Sequence, residues 1–218
     1  MRILITGATG LVGQGVLQEC LEARDVDGVV ALLRHSTGRS DPRLHEVLVE
    51  DFAELSDVED SLQALDACFY CAGAPPIGTP EAQYRHDTLD LTLSVARTLA
   101  RLNPSLHLLY ISGAHSDPSS HVMPLRVKGE TEQALGALPL RTTMLRTGGI
   151  QPVHGEHSPH KALDVAYRIG GPVMGLGVAL APTLFTTTAR VGRAMLALAR
   201  MEDPPKIVEN DEINRLGA

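Results

Sequence analysis

Tryptophan is absent from the 218 residues, and three phenylalanines and four tyrosines leave the chain poor in aromatics. Positive charge is not in excess either. Nineteen Lys and Arg stand against 26 Asp and Glu, a formal net charge of -7, so no positive field gathers nucleic-acid phosphates and a general DNA or RNA binder is not expected. Lysine itself is scarce, confined to Lys128, Lys161 and Lys206. Length is limiting as well. A chain of 218 residues buries one sizeable core but has no room for a dinucleotide domain plus a large separate substrate domain. Residues 1–218 are expected to form a single domain, with the substrate side reduced to loops and a segment at 151–185.

Cysteine is sparse and odd in number, at Cys20, Cys68 and Cys71. No signal peptide precedes them, because Met1-Arg2 runs directly into the strand-like Ile3-Leu4-Ile5-Thr6, and the chain reads as reduced and cytoplasmic. Cys68-Phe69-Tyr70-Cys71 has the spacing of a metal or redox pair. It lies, however, in the apolar run Ala67 to Ala72, a strand on which residues three apart face opposite ways, so two buried structural thiols are expected. The longest uncharged stretch, Ile169 to Ala189, has the length of a membrane span, but four glycines and two prolines interrupt it. A flexible apolar cover over a site is expected there, and no membrane span.

What is present is a regular alternation of short apolar, β-branched runs with longer segments of helical period, the pattern of a parallel sheet built from β-α units. Strands are expected at Arg2 to Thr6, Gly28 to Leu33, Val47 to Glu50, Ala67 to Ala72, Leu106 to Ile111, Arg141 to Arg146 and Lys206 to Val208. Helices are expected at Leu11 to Ala23, Ser56 to Ala64 (opened by a capping box, Ser56 and Glu59), Pro80 to Leu102, Val122 to Leu138 and Thr186 to Met201. The fold class is α/β, a doubly wound parallel sheet in three layers.

Gly7-Ala8-Thr9-Gly10-Leu11-Val12-Gly13 falls where the first strand ends and the first helix begins. Gly7 permits the tight turn, Gly10 the approach of a pyrophosphate and Gly13 close helix-strand packing, while the free amides of the first helical turn meet negative charge. About 20 residues further on, NAD binders usually place an acid on the ribose hydroxyl. Here the sequence reads Leu33-Arg34-His35-Ser36. No acid repels a 2'-phosphate, and the Arg34 guanidinium can pair with one, so NADP is favoured over NAD.

With Thr6-Gly7-Ala8-Thr9-Gly10, Val127-Lys128-Gly129-Glu130, Arg146-Thr147-Gly148-Gly149-Ile150 and Val208-Glu209-Asn210, the chain resembles the atypical branch of the short-chain dehydrogenase/reductase superfamily. Within it, the chain is similar to the Tat-interacting-protein-like oxidoreductases and to bacterial relatives of the NAD-dependent epimerase/dehydratase type. The resemblance implies a Rossmann fold and roles for particular positions. Asp51 and Phe52 match the place where the family holds the adenine, and Cys71, Ala72 and Gly73 the stretch beside the cofactor riboses. Ser112 occupies the catalytic serine position. Lys128 matches the lysine that binds the nicotinamide ribose and lowers the pKa of a catalytic tyrosine, and Gly148, Gly149 and Ile150 lie near the carboxamide.

That tyrosine belongs four residues before the lysine, one helical turn away. Four before Lys128 is Pro124, four before Lys161 is His157 and four before Lys206 is Glu202; Tyr70, Tyr84, Tyr110 and Tyr167 are all placed elsewhere. Proline cannot transfer a proton. His115 and His121, in the loop after Ser112, titrate near neutral pH and are substitute general acids. His154, His157 and His160 group three imidazoles with Glu156, but on a Gly- and Pro-containing loop without ligand spacing, so a substrate-facing loop is expected and no metal. Two functions follow. One is an NADP-dependent oxidoreductase acting on a small carbonyl or alcohol; the alternative is an NADP-binding regulatory or sensor protein without turnover. A nucleotide-sugar epimerase or dehydratase is a third, weaker reading, and the chain is compatible with a monomer or a homodimer.

Overall fold

The computed structural model describes residues 1–153, 155–156, 181 and 183–218. In chain order the elements are β1 (Arg2–Thr6), α1 (Leu11–Glu22), β2 (Gly28–Leu33), β3 (Leu44–Leu48), a 3-10 helix (Ser56–Leu62), β4 (Ala67–Tyr70) and α2 (Glu81–Arg85). A π-helical turn (His86–Asp90) leads into α3 (Leu91–Leu102), followed by β5 (His107–Gly113), α4 (Met123–Gly136), β6 (Arg141–Thr147) and β7 (Gly149–Gln151). The chain closes with β8 (Phe185–Thr187), α5 (Thr188–Ala199), β9 (Ile207–Glu209) and α6 (Asn210–Leu216).

Seven strands form one sheet in the order β3-β2-β1-β4-β5-β6-β9, all parallel. Alternation along each strand feeds two cores. Ile3, Ile5, Val29, Ala31 and Phe69 point to the layer of α1, α5 and α6, where Val16, Leu17, Val191, Met195 and Ile213 are buried. Leu4, Val30, Leu32, Cys68 and Tyr70 point to the other layer, against Val95 and Leu99 of α3 and Leu135 of α4. Burying a Leu, Ile or Val side chain contributes about 1.5–3 kcal/mol, so these two cores carry the stability of the sandwich. Cys68 belongs to one core and Cys71 packs against the other, so the two thiols diverge as the strand pattern predicts. Because β1 neighbours both β2 and β4, the chain reverses direction across the sheet beside β1 and opens a crevice outside the strands' C-terminal ends.

Several boundaries differ from expectation. β3 begins at Leu44 rather than Val47, since an edge strand with exposed faces lacks a clean apolar pattern. The Ser56–Glu59 capping box does not form: Leu55 is the N-cap, no side chain caps the turn, and the segment is 3-10. The expected helix from Pro80 to Leu102 is divided by the π turn, with Pro80 as its cap. β7 and β8 form a separate two-stranded parallel ribbon, and α6 is an additional helix. Much of the expected 151–185 segment lies outside the described residues, including His154, His157 and His160; no helix among the described residues is long and apolar enough to cross a membrane, and they contain no metal-binding cluster.

One buried histidine gives the fold a pH dependence. His107 Nε2 lies 2.9 Å from Thr143 Oγ1, and Thr143 donates its own proton to the Pro205 carbonyl at 2.8 Å, so His107 is the donor and its Nδ1 is left without a partner. Burial, reinforced by Arg141, pulls its pKa from 6.5 down to about 4. A depressed base is neutral in the folded state, so the stability is fully present above the unfolded pKa and is lost as pH falls toward the folded one. Thermal denaturation between pH 7 and pH 4 is expected to show a loss of up to about 3 kcal/mol from this residue. His107→Gln, which keeps a donor toward Thr143 and cannot titrate, flattens that part of the profile; an unchanged profile would refute the assignment.

Candidate functional site

β1 hands the chain to α1 through the turn Gly7-Ala8-Thr9-Gly10, closed by Gly10 N donating to Gly7 O at 2.9 Å. Gly7 has φ +71°, and a Cβ there would stand 2.6 Å from the backbone of Cys71 and Ala72, at the end of β4. At Gly13 a Cβ would lie 2.0 Å from Gly7 O. Gly10, by contrast, meets only Gly7 O, at 3.2 Å, and is open on its other side. α1 starts at Gly10 with no side-chain cap and no acidic residue in its first turn, so its positive end is left for an anion.

A groove of about 480 Å3 runs across this turn, bounded among other residues by Gly7, Thr9, Gly10, Arg34, Phe52, Cys71, Ala72 and Gly73. Its size suits a cofactor site. Of the expected cofactor residues, the structure therefore gathers these eight on one wall. Leu11, Val12 and Gly13 form the first turn of α1 and, like Asp51, are not among the groove's lining residues; Asp51 Oδ1 accepts from Ala53 N at 2.8 Å. Arg34 is exposed at the end of β2 and makes no ion pair among the described residues. Asp87 is the one acid in the groove wall among the described residues. Burial raises the thiol pKa of Cys71 far above its usual value, which keeps it a neutral wall rather than a nucleophile.

Ser112 and Lys128 lie apart from that wall. Lys128 Nζ donates to Ile111 O at 3.0 Å and sits 5.3 Å from the centre of the Tyr110 ring. Burial lowers its pKa to about 8, partly opposed by the Glu132 carboxylate. Ser112 Oγ is 2.6 Å from Glu132 Oε1 and 3.0 Å from Ser116 Oγ. Glu132 is gripped in turn by Arg146, whose Nη2 and Nε reach its two oxygens at 2.6 and 3.1 Å. Pro124 occupies the first turn of α4, where a missing N–H is no loss. His115 and His121 are exposed and neither is hydrogen-bonded to Ser112.

Gly148 N donates to Asn210 Oδ1 at 2.8 Å, and Asn210 Nδ2 donates to Phe185 O at 3.0 Å, so one buried side chain ties the expected carboxamide segment to β8. Glu132, Ser116 and Asn210 as hydrogen-bonding members of this region were not signalled by motif spacing; Asn210 appeared only within a family-like tripeptide, and Glu132 as one more polar residue of a helix.

The model of the NAD dependent epimerase/dehydratase family matches residues 3–137. Leucinostatins biosynthesis cluster protein T of Purpureocillium lilacinum is 25% identical over 135 residues, which are 60% of this chain and 50% of that protein, so this chain spans about half of that relative. Protein fmp52, mitochondrial, of Emericella nidulans is 26% identical over 169 residues, 74% of this chain and 72% of that protein. Among solved structures, UDP-glucuronic acid 4-epimerase from Bacillus cereus in complex with NAD superposes with TM-score 0.69 at 16% identity, covering 95% of this chain and 76% of that one. The PhqB reductase domain from Penicillium fellutanum gives TM-score 0.70 at 19% identity, covering 96% and 66%. At such identities the superpositions establish the fold, a Rossmann-like α/β domain. Taken with a glycine turn, an uncapped helix end and a groove at the strand reversal, the match over more than half of the chain means that this protein belongs to the NAD dependent epimerase/dehydratase family.

Proposed function

We propose that the chain binds NADP(H) in the groove over β1 and β4 and acts as an oxidoreductase on a small alcohol or carbonyl compound. The observation that carries this reading is the wall itself: a glycine turn open at Gly10, an uncapped α1, and Arg34 facing the groove with no acid beside it at the end of β2. The amides of the turn and of Leu11, Val12 and Gly13 bind the pyrophosphate. Arg34 pairs with the 2'-phosphate, Phe52 packs against the adenine, and Cys71 to Gly73 border the riboses. When bound, the nicotinamide supplies the hydride acceptor or donor. Lys128, anchored on Ile111 O, orients the nicotinamide ribose, and Gly148 to Ile150 border the carboxamide. Ser112 holds the substrate oxygen.

A full-length preparation mixed with NADPH and a broad carbonyl panel, or NADP+ and the matching alcohols, tests it through dinucleotide absorbance. Turnover above the uncatalysed rate is expected. One observation favours a second reading, a dinucleotide-binding sensor without turnover: Pro124 stands one turn before Lys128. That reading expects NADPH to bind while hydride transfer stays undetectable, with Pro124→Tyr conferring turnover on the protein. Measurable turnover by the natural sequence removes it.

A further inference from the structure

Pro124, Lys128 and Glu132 follow one another at single-turn spacing on α4. The turn before Lys128 carries no proton, but the turn after it carries a carboxylate, and that carboxylate is bonded to Ser112. Parallel register sets Ser112, Arg146 and Glu209 side by side across β5, β6 and β9. Ser112 is 2% exposed and Glu132 8%, so the bond between them is shielded from water. A carboxylate held by a guanidinium fork only accepts, and Ser112 therefore donates its single proton to Glu132. Ser116 Oγ has a nearer acceptor in Gly113 O, at 2.7 Å, than in Ser112 Oγ, at 3.0 Å. Ser112 is left presenting lone pairs. The partner that fits lone pairs is a hydroxyl donor, an alcohol rather than a carbonyl oxygen.

We propose that Glu132 is the positioning residue that takes over from the missing phenol, acting through Ser112 to accept the proton of a substrate alcohol. This rests on the reading of the chain as a nicotinamide-dependent oxidoreductase. In the oxidation, the substrate O–H bond breaks toward Ser112 Oγ while Ser112's own proton passes to Glu132 Oε1. The electron pair of the substrate C–H bond leaves as hydride to the oxidised dinucleotide, and the C=O bond forms. Carbonyl reduction runs the same path in reverse, the proton returning from Glu132 through Ser112 to the substrate oxygen. The charged and titratable groups facing Glu132 are Lys128 on its own helix, Arg146 on β6 and Tyr110 on β5, with Glu209 on β9 reaching it through Arg146.

The test uses the full chain with NADP+ and a panel of primary and secondary alcohols. Glu132→Gln is expected to lose on the order of 10²- to 10⁴-fold in oxidation rate, the usual contribution of a general acid-base group, with Glu132→Asp recovering part of it, while dinucleotide affinity is unchanged. Ser112→Ala leaves the Glu132–Arg146 pair in place, guards against a folding defect in the first variant, and is expected to show the same loss. Independently of turnover, fluorine NMR of trifluoroethanol with the NADP+-loaded protein is expected to show binding that Ser112→Ala removes. A Glu132→Gln protein that keeps the natural rate overturns the proposal, as does trifluoroethanol binding that survives Ser112→Ala. A natural protein that binds NADP+ yet oxidises no alcohol overturns the relay and leaves dinucleotide binding standing. One that binds no dinucleotide overturns both.

Discussion

Gly13→Ala should abolish dinucleotide binding and destabilise the protein by about 3 kcal/mol or more, a fall of roughly 6–12 °C in Tm. The added Cβ would stand 2.0 Å from Gly7 O, 2.5 Å from Gly7 C and 2.9 Å from Ala8 Cα. All three are backbone atoms, so no side chain can rotate aside, and relief requires α1 to move off β1. That same movement dismantles the turn that presents amides to a pyrophosphate. Gly10→Ala separates the two effects. Its Cβ meets only Gly7 O, at 3.2 Å, and at this N-cap position the change costs about 1 kcal/mol or less. Binding should nevertheless fall at least about tenfold, a loss of 1.4 kcal/mol, because a methyl group then stands where the pyrophosphate approaches. Thermal melts and calorimetric titration of both variants read the two quantities. If Gly10→Ala bound NADPH as the natural protein does, the assignment of this turn as the phosphate cradle would fail.

The second large effect concerns which dinucleotide is preferred. Hydrogen bonds to charged groups contribute about 1.5–3 kcal/mol, so removing the Arg34 guanidinium should weaken NADPH by roughly 10- to 150-fold and leave NADH nearly unaffected. Arg34→Asp should go further and reverse the preference, since the carboxylate repels a 2'-phosphate and accepts from a free ribose hydroxyl. Arg34 is exposed and forms no ion pair among the described residues, so neither change disturbs folding. An unaltered ratio of the two affinities in Arg34→Asp would show that another group reads this position.

Most of the fold was legible because a buried parallel sheet writes itself plainly. β1, β2, β4 and β5 are apolar on both faces, and the strand-turn-helix around Gly7 is a local pattern. The errors fall where structure depends on distant partners. β3 pairs its exposed His45 and half-buried Glu46 with β2, and nothing in its own composition marks the register. β7 and β8 are three residues each and widely separated in sequence, so neither has a period to read. The site divides in the same way. Gly7, Gly10, Arg34 and Cys71 to Gly73 follow strand ends that topology brings to one crevice, and strand ends can be read from the sequence. Glu132 belongs to no motif of α4, and its bonds to Ser112 and Arg146 exist only when β5 and β6 align.

Calorimetric titration of the natural protein with NADPH and, separately, with NADH tests the central claim most directly. The account predicts one site per chain and an NADPH affinity at least about tenfold above that for NADH, the equivalent of one charge-assisted contact at Arg34. NADH binding as tightly as NADPH, or neither binding at all, would contradict it.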